Sequence, residues 1–187
     1  MKEFIKDYIN SINKITADLD IEKISKVVEA IGEAHINKKR IFVIGNGGSA
    51  ATANHFACDL GKNAIKDDEN RFQILSLSNN ISSITAYGND VGYESVFAEQ
   101  LKNLMQFGDT IICISASGNS PNIINAVEYA KKKNAIIISL TGFKGGKLKE
   151  ISDFNVNVLC DSYEKIEDIH LVITHIIVYW FKTNPNL

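Results

Sequence analysis

The sequence predicts an α/β protein built on a parallel sheet, and three observations carry the prediction. Four short runs, "RIFVIG", "FQILSL", "DTIICIS" and "AIIISL", are nearly continuous in β-forming residues, and "FNVNVL" is a fifth, more alternating one. Such runs suit strands covered on both faces, as a parallel sheet requires. Segments of helical length and period lie between them, and strand–turn–helix repeated in this way gives a doubly wound sandwich. Three of the runs also end in polar turns that carry glycine: "GNGGSAA" at 45–51, "SASGNSPN" at 115–122 and "TGFKGGK" at 141–147.

Up to about Lys38 the chain reads as two helices. Phe4, Tyr8, Ile9, Ile12 and Ile15 keep a helical period, and so do Ile21, Ile24, Val27, Val28 and Ile31. The period then shortens at "RIFVIG", and a helix starts beyond the first glycine turn. "ESVFAEQLKNLM" from Glu94 and "PNIINAVEYAKKKN" from Pro121 are helical; Ser120 before Pro121 suits a cap followed by proline at the first helical position. The last helix, from about Tyr163 to Lys182, is apolar almost all the way round, with Ile169, Leu171, Val172, Ile173, Ile176, Ile177 and Val178. A helix of that kind is buried, and in so small a chain the expected cover is another subunit. No linker, repeat or low-complexity tract divides residues 1–187.

Composition limits the partners. With 45% hydrophobic residues, 22% charged residues and a formal charge of −2, the chain is neither disordered nor suited to a nucleic acid or an anionic membrane. The longest apolar stretch, "LVITHIIVYWF", is too short to span a bilayer. Cys58, Cys113 and Cys160 lack metal-type spacing and read as reduced thiols. "MKEFIKDYINSINK" has no hydrophobic segment of the secretory type, so the expected location is the cytoplasm.

An anion site must then be local. Ligands of open α/β sheets bind beyond the carboxyl ends of the strands, where glycines admit close approach and helix N-termini offer free N–H groups. Ser115, Ser117 and Ser120 would add hydroxyl donors, more than a turn needs, and point to phosphate. For "TGFKGGK", an anion loop and a plain connection remain equal readings. Neither a P-loop nor GxGxxG is present, which favours a phosphorylated small molecule over a nucleotide.

Two histidines carry the remaining chemistry. His55 and Asp59 are four apart and share one helix face. Glu167 and His175 are eight apart, about 80° around a helix, with Glu164 on the same face; His170 lies about 140° from His175 and points elsewhere. Two imidazoles and two carboxylates can bind a divalent metal or act as base and acid. Spacing alone equally allows a surface pair at 55 and 59 and a hydrogen-bonded core histidine at 175.

"GNGGSAATANHFACDL", "GND" at 88–90, "SASGNSPNIINA", "SLTG" and "IEDIH…H" ending at His175 resemble the phosphoheptose isomerases of the sugar isomerase (SIS) domain family, over essentially the whole chain. The resemblance implies one SIS domain, a flavodoxin-like three-layer sandwich with a five-stranded parallel sheet. It implies two leading helices, residues 1–38, used in oligomerisation. It also implies a homotetramer with active sites between subunits, and isomerisation of sedoheptulose 7-phosphate to D-glycero-D-manno-heptose 7-phosphate for lipopolysaccharide or capsule. By motif, Asn46, Gly47, Gly48, Ser49, Asn89 and Asp90 would line the sugar. Ser115, Ala116, Ser117 and Ser120 would hold the phosphate. His55, Asp59, Glu167 and His175 would form a zinc and acid–base cluster in which Asp59 is the base, His175 the acid, and both Asp59 and Glu167 also meet the sugar.

The chain departs from the family at some of these positions. The family usually has glutamate at 59, glutamine at 167, arginine at 63, Asp-Arg at 164–165 and threonine at 116. A shorter acid at 59 facing a longer one at 167 suggests reciprocal compensation. Isomerisation of another phosphosugar, or phosphosugar binding without turnover as in a DnaA initiator-associating relative, are the rival functions.

Overall fold

Each predicted βα repeat folds as one strand followed by helix. The computed structural model describes residues 1–64 and 70–184. Strands β1 (Ile41–Gly45), β2 (Ile74–Ser76), β3 (Thr110–Ser115), β4 (Ile136–Gly142) and β5 (Phe154–Val158) form one parallel sheet in the order β2-β1-β3-β4-β5. "FQILSL" yields only three paired residues because β2 is an edge strand with one neighbour, β1. Phe72 at its start leaves the ladder and stacks on His35, with ring centroids 4.2 Å apart.

The helices are α1 (Lys2–Ala17), α2 (Ile21–Ile36), α3 (Gly48–Asn63), α4 (Ile81–Asp90), α5 (Val96–Leu104), α6 (Pro121–Lys132), α7 (Gly146–Ile151) and α8 (Tyr163–Thr183), with a short 3-10 helix at Tyr93–Ser95. Helices α4 and α7 lack a signature in the sequence for good reason. The first has no fully buried side chain, only Tyr87 partly buried against the core, and the second has six residues with Leu148 alone buried. Residues from α2, α3 and α8 pack on one face of the sheet through Ile31, Phe56, Ile173 and Phe181. Residues from α5, α6 and α7 cover the other face through Phe97, Leu101, Val127 and Leu148. The result is a flavodoxin-like three-layer sandwich.

Two expectations about packing change. Helix α8 is buried mainly within its own subunit: Ile166, Ile169, Ile173, Ile177 and Phe181 are at most 2% exposed. In its second half, an apolar stripe of Ile176, Tyr179 and Trp180 faces outward. The leading helices also part company. Helix α2 belongs to the core, whereas α1 packs only the partly buried Ile12 and Ile15 against it and exposes Phe4, Ile5 and Ile9. Polar bonds tether α1 to α8, from the Tyr8 hydroxyl to Asp168 Oδ2 (2.7 Å) and from Lys165 Nζ to Ser11 Oγ (2.9 Å). Among the described residues, no helix is long and apolar enough to cross a membrane.

His170 does point away from His175, into the core, where it is fully buried. Its Nε2 lies 3.1 Å from the Thr141 carbonyl, so that nitrogen carries the proton and donates it. Nδ1 is buried without a partner, and burial pushes the imidazole pKa down from 6.5 to about 4. The unfolded chain therefore takes up a proton that the folded one refuses. Stability is complete above about pH 6.5 and falls by roughly 3 kcal/mol as pH drops towards 4. Denaturant titrations at pH 7 and 5 should show about 2 kcal/mol of this loss in the wild type and less in His170→Gln.

Candidate active site

The strand order reverses direction between β1 and β3: α3, which follows β1, lies on one face, and α6, which follows β3, on the other. Sheets of this type open a crevice at that point, beyond the carboxyl ends of the strands. The first and second glycine turns meet there. Gly47 caps α3 with φ +55°, Gly48 starts the helix, and Ser49 is buried at 5% exposure. Asn46, half-buried, reaches across the crevice to α6. Its Nδ2 donates to Asn122 Oδ1 and its Oδ1 accepts from Asn122 Nδ2, both at 2.9 Å.

The serine turn is held by its own backbone. The Gly118 N–H donates to Ser115 Oγ (3.2 Å), and the Asn119 N–H donates to Ser117 Oγ (3.3 Å). Ala116 is buried behind them. Ser120 occupies the cap position of α6, yet its hydroxyl forms no capping bond and stays available to a ligand. The third turn braces the second. Gly118, at φ +64°, lies so close to the Gly145 carbonyl that no side chain would fit. Asn119 Oδ1 accepts the Lys147 N–H (2.9 Å). A tight backbone contact thus accounts for Gly118, and likewise for Gly146 of "TGFKGGK", which at φ +57° lies against the Ser117 carbonyl.

The histidines converge. From α3, His55 Nε2 lies 3.1 Å from Asp59 Oδ2. From α8, His175 Nε2 lies 3.4 Å from His55 Nε2 and 3.8 Å from Asp59 Oδ2. Asn63 Nδ2, one turn further along α3, donates to Asp59 Oδ1 at 3.1 Å and so braces the shorter acid. His175 and Asp59 border a cavity of about 540 Å³ with Asn63, Val172, Ile176 and Tyr179.

Glu167, expected in the same cluster, lies outside it. The ligand atoms of His55, Asp59 and His175 all fall within 4.8 Å of one another, and Glu167 is not among that group. Its carboxylate instead fills the space a side chain at Gly48 would take. Eight residues along a helix share a face but lie about 12 Å apart in rise, so a common face did not bring the two ligands together. In this structure Asp59 is partnered by the two histidines and Asn63, not by Glu167. Glu164 is likewise remote and accepts a 2.7 Å bond from the Ser162 hydroxyl. Asn89 and Asp90 end α4, exposed, with Asn89 Nδ2 donating to Asp90 Oδ1 at 2.8 Å.

Comparison with known proteins places the whole chain in one family. A family model described as SIS domain matches residues 3–142. A phosphoheptose isomerase of Sulfurimonas denitrificans is 40% identical over 178 residues, covering 95% of this chain and 86% of the relative. One from Aneurinibacillus thermoaerophilus is 39% identical over 182 residues, covering 95% and 91%. The solved phosphoheptose isomerase GmhA of Neisseria gonorrhoeae has TM-score 0.89 at 29% identity, covering 97% of this chain and 98% of that one. The chain belongs to the phosphoheptose isomerase branch of the SIS domain family.

The donor set of this SIS domain fits a divalent metal. Two imidazole nitrogens and one carboxylate oxygen are the usual protein ligands of a catalytic zinc, which keeps a further position open. Bonds of about 2.0–2.1 Å in tetrahedral arrangement place ligand atoms roughly 3.3 Å apart. The three observed separations, 3.1, 3.4 and 3.8 Å, bracket that value. Sequence reasoning missed Asn122 and Tyr93, whose hydroxyl donates to Asn46 Oδ1 at 2.9 Å. Nothing in their local sequence separates them from a helix residue and a loop aromatic.

Proposed function

We propose that this protein is an aldose–ketose isomerase that converts sedoheptulose 7-phosphate to D-glycero-D-manno-heptose 7-phosphate. The convergence of His55, Asp59 and His175 from two helices carries the reading, on a chain related over nearly its full length to phosphoheptose isomerases. The product would supply nucleotide-activated heptose for lipopolysaccharide or capsule, made in the cytoplasm.

The serine turn 115–120 anchors the phosphate and sets the register of the sugar. Asn46, Gly47, Gly48, Ser49 and Glu167 line the sugar beyond it, joined by Asn89 and Asp90. Asp59 takes a proton from C1 of the ketose, which leaves an enediolate across C1 and C2, and the proton returns at C2. His175 moves the hydroxyl proton from O1 to O2, so that C1 becomes the aldehyde. His55, Asp59 and His175 would hold zinc, which when bound polarises the oxygens and favours loss of the carbon-bound proton.

The cluster opens into a cavity walled by apolar side chains of the outward stripe of α8, Ile176 and Tyr179. Together with Phe4, Ile5 and Ile9 of α1, these exposed groups support a homotetramer in which a neighbouring subunit closes each active site.

The test is NMR of sedoheptulose 7-phosphate with purified protein, as isolated, with added zinc and after chelation. Appearance of the heptose aldose, lost on chelation and restored by zinc, is the expected result. Binding without conversion under all three conditions would reject the isomerase.

A further inference from the structure

The hydrogen bonds around Asn46 determine which of its atoms can meet a ligand. Asn122 is 2% exposed at the start of α6, and its Oδ1 accepts the Ile123 backbone N–H at 3.0 Å. A backbone N–H can only donate, so the atom facing it must be the oxygen, which removes the usual ambiguity of an amide. Asn122 Nδ2 therefore faces Asn46, and the reciprocal pair across the crevice has a single sense. Tyr93 adds the second donor to Asn46 Oδ1, at 2.9 Å. Its position on the short 3-10 helix is held by Asn125 Nδ2, which donates to the Glu94 carbonyl at 2.9 Å.

An amide oxygen has two lone pairs, and both of those on Asn46 are taken. One Nδ2–H goes to Asn122, which leaves a single N–H. Asn46 thus meets a ligand only as a donor. It directly follows β1, one strand across from the serine turn, where the uncapped Ser120 hydroxyl already suits the phosphate. What remains for Asn46 is an oxygen of the sugar.

We infer that Tyr93 and Asn122 are positioning residues that hold Asn46 as a fixed single donor to a sugar oxygen that gains negative charge during the proton transfer. A preorganised donor of this kind stabilises the transition state more than the bound sugar, because it needs no reorientation as charge develops. The assignment rests on the isomerase reading above.

Its effect should appear in kcat. Tyr93 is 56% exposed, so Tyr93→Phe removes one hydrogen bond and leaves the core intact. The expected result with sedoheptulose 7-phosphate is a kcat about tenfold lower. KM and inhibition by inorganic phosphate should stay within about twofold, since phosphate binding is untouched. Asn122→Asp sets acceptor against acceptor and should lower kcat about 100-fold. If that variant fails to fold, Tyr93→Phe decides alone. Unchanged kcat in Tyr93→Phe, or a loss confined to KM, overturns the inference.

Exchange of the Asn46 side-chain amide protons, followed by NMR without substrate, gives a reading independent of turnover. Slow exchange in the wild type and faster exchange in Tyr93→Phe are expected, and fast exchange in both would overturn the lock. A wild type with protected Asn46 protons but no conversion would refute the isomerase and uphold the lock.

Discussion

Asp59→Asn is expected to lower kcat/KM for sedoheptulose 7-phosphate by about 1,000-fold, the scale of losing a positioned proton-transfer group. The wild-type carboxylate has both oxygens engaged, Oδ2 beside the two imidazoles and Oδ1 beside Asn63. An amide cannot accept the carbon-bound proton, and it cannot present an acceptor to both sides at once. Whichever way it turns, its NH2 group faces either His55 or the Asn63 amide. Zinc held by the cluster as proposed, measured by elemental analysis of the purified variant, should fall in parallel because one of the three donors would be lost. Asp59→Glu should keep part of both, since the charge survives while the reach changes. Activity of Asp59→Asn within about tenfold of wild type would remove Asp59 from the role of base.

Ile173→Asp is expected to prevent folding of the subunit itself, not merely to dissociate an assembly. Ile173 is fully buried in its own chain, in the cluster that joins α2, α3 and α8 to the sheet. Burying an unpaired carboxylate there, with loss of the isoleucine contacts, costs about 5 kcal/mol or more, against a usual total of roughly 5–15 kcal/mol. Trp180→Glu is the contrast. Trp180 lies on the outward stripe at 45% exposure, so the variant should fold with unchanged circular dichroism and elute as a smaller species in size-exclusion chromatography. A folded, soluble Ile173→Asp protein would contradict the packing of α8. A Trp180→Glu protein of unchanged size would remove this stripe from the proposed tetramer interface.

The two substitutions differ because of a distinction that periodicity along α8 could not draw. Ile173 and Ile176 are equally apolar, and both suit a buried helix. Whether the cover comes from β4 and β5 of the same chain or from another subunit depends on how deep α8 sits in the sandwich. The same limit applied to Glu167. Its angle to His175 follows from the spacing, but its carboxylate lies against Gly48 and outside the His55–Asp59–His175 cluster.

The sequence by itself determined the five strands and their parallel sense, because continuous apolar runs with intervening helices have few other ways to bury both faces. It also determined that the glycine turns lie together, since every turn of a βα repeat falls at the same edge of the sheet. His55 and Asp59 were legible as a pair because four residues make one helical turn. Only the tertiary structure decided that His175 meets them, that Glu167 does not, and that Tyr93 and Asn122 orient Asn46. These are contacts between residues 47 to 120 positions apart, and no local pattern encodes them. They follow from the packing of α3 against α8 and from the crevice between β1 and β3, which exist only once the sheet has formed.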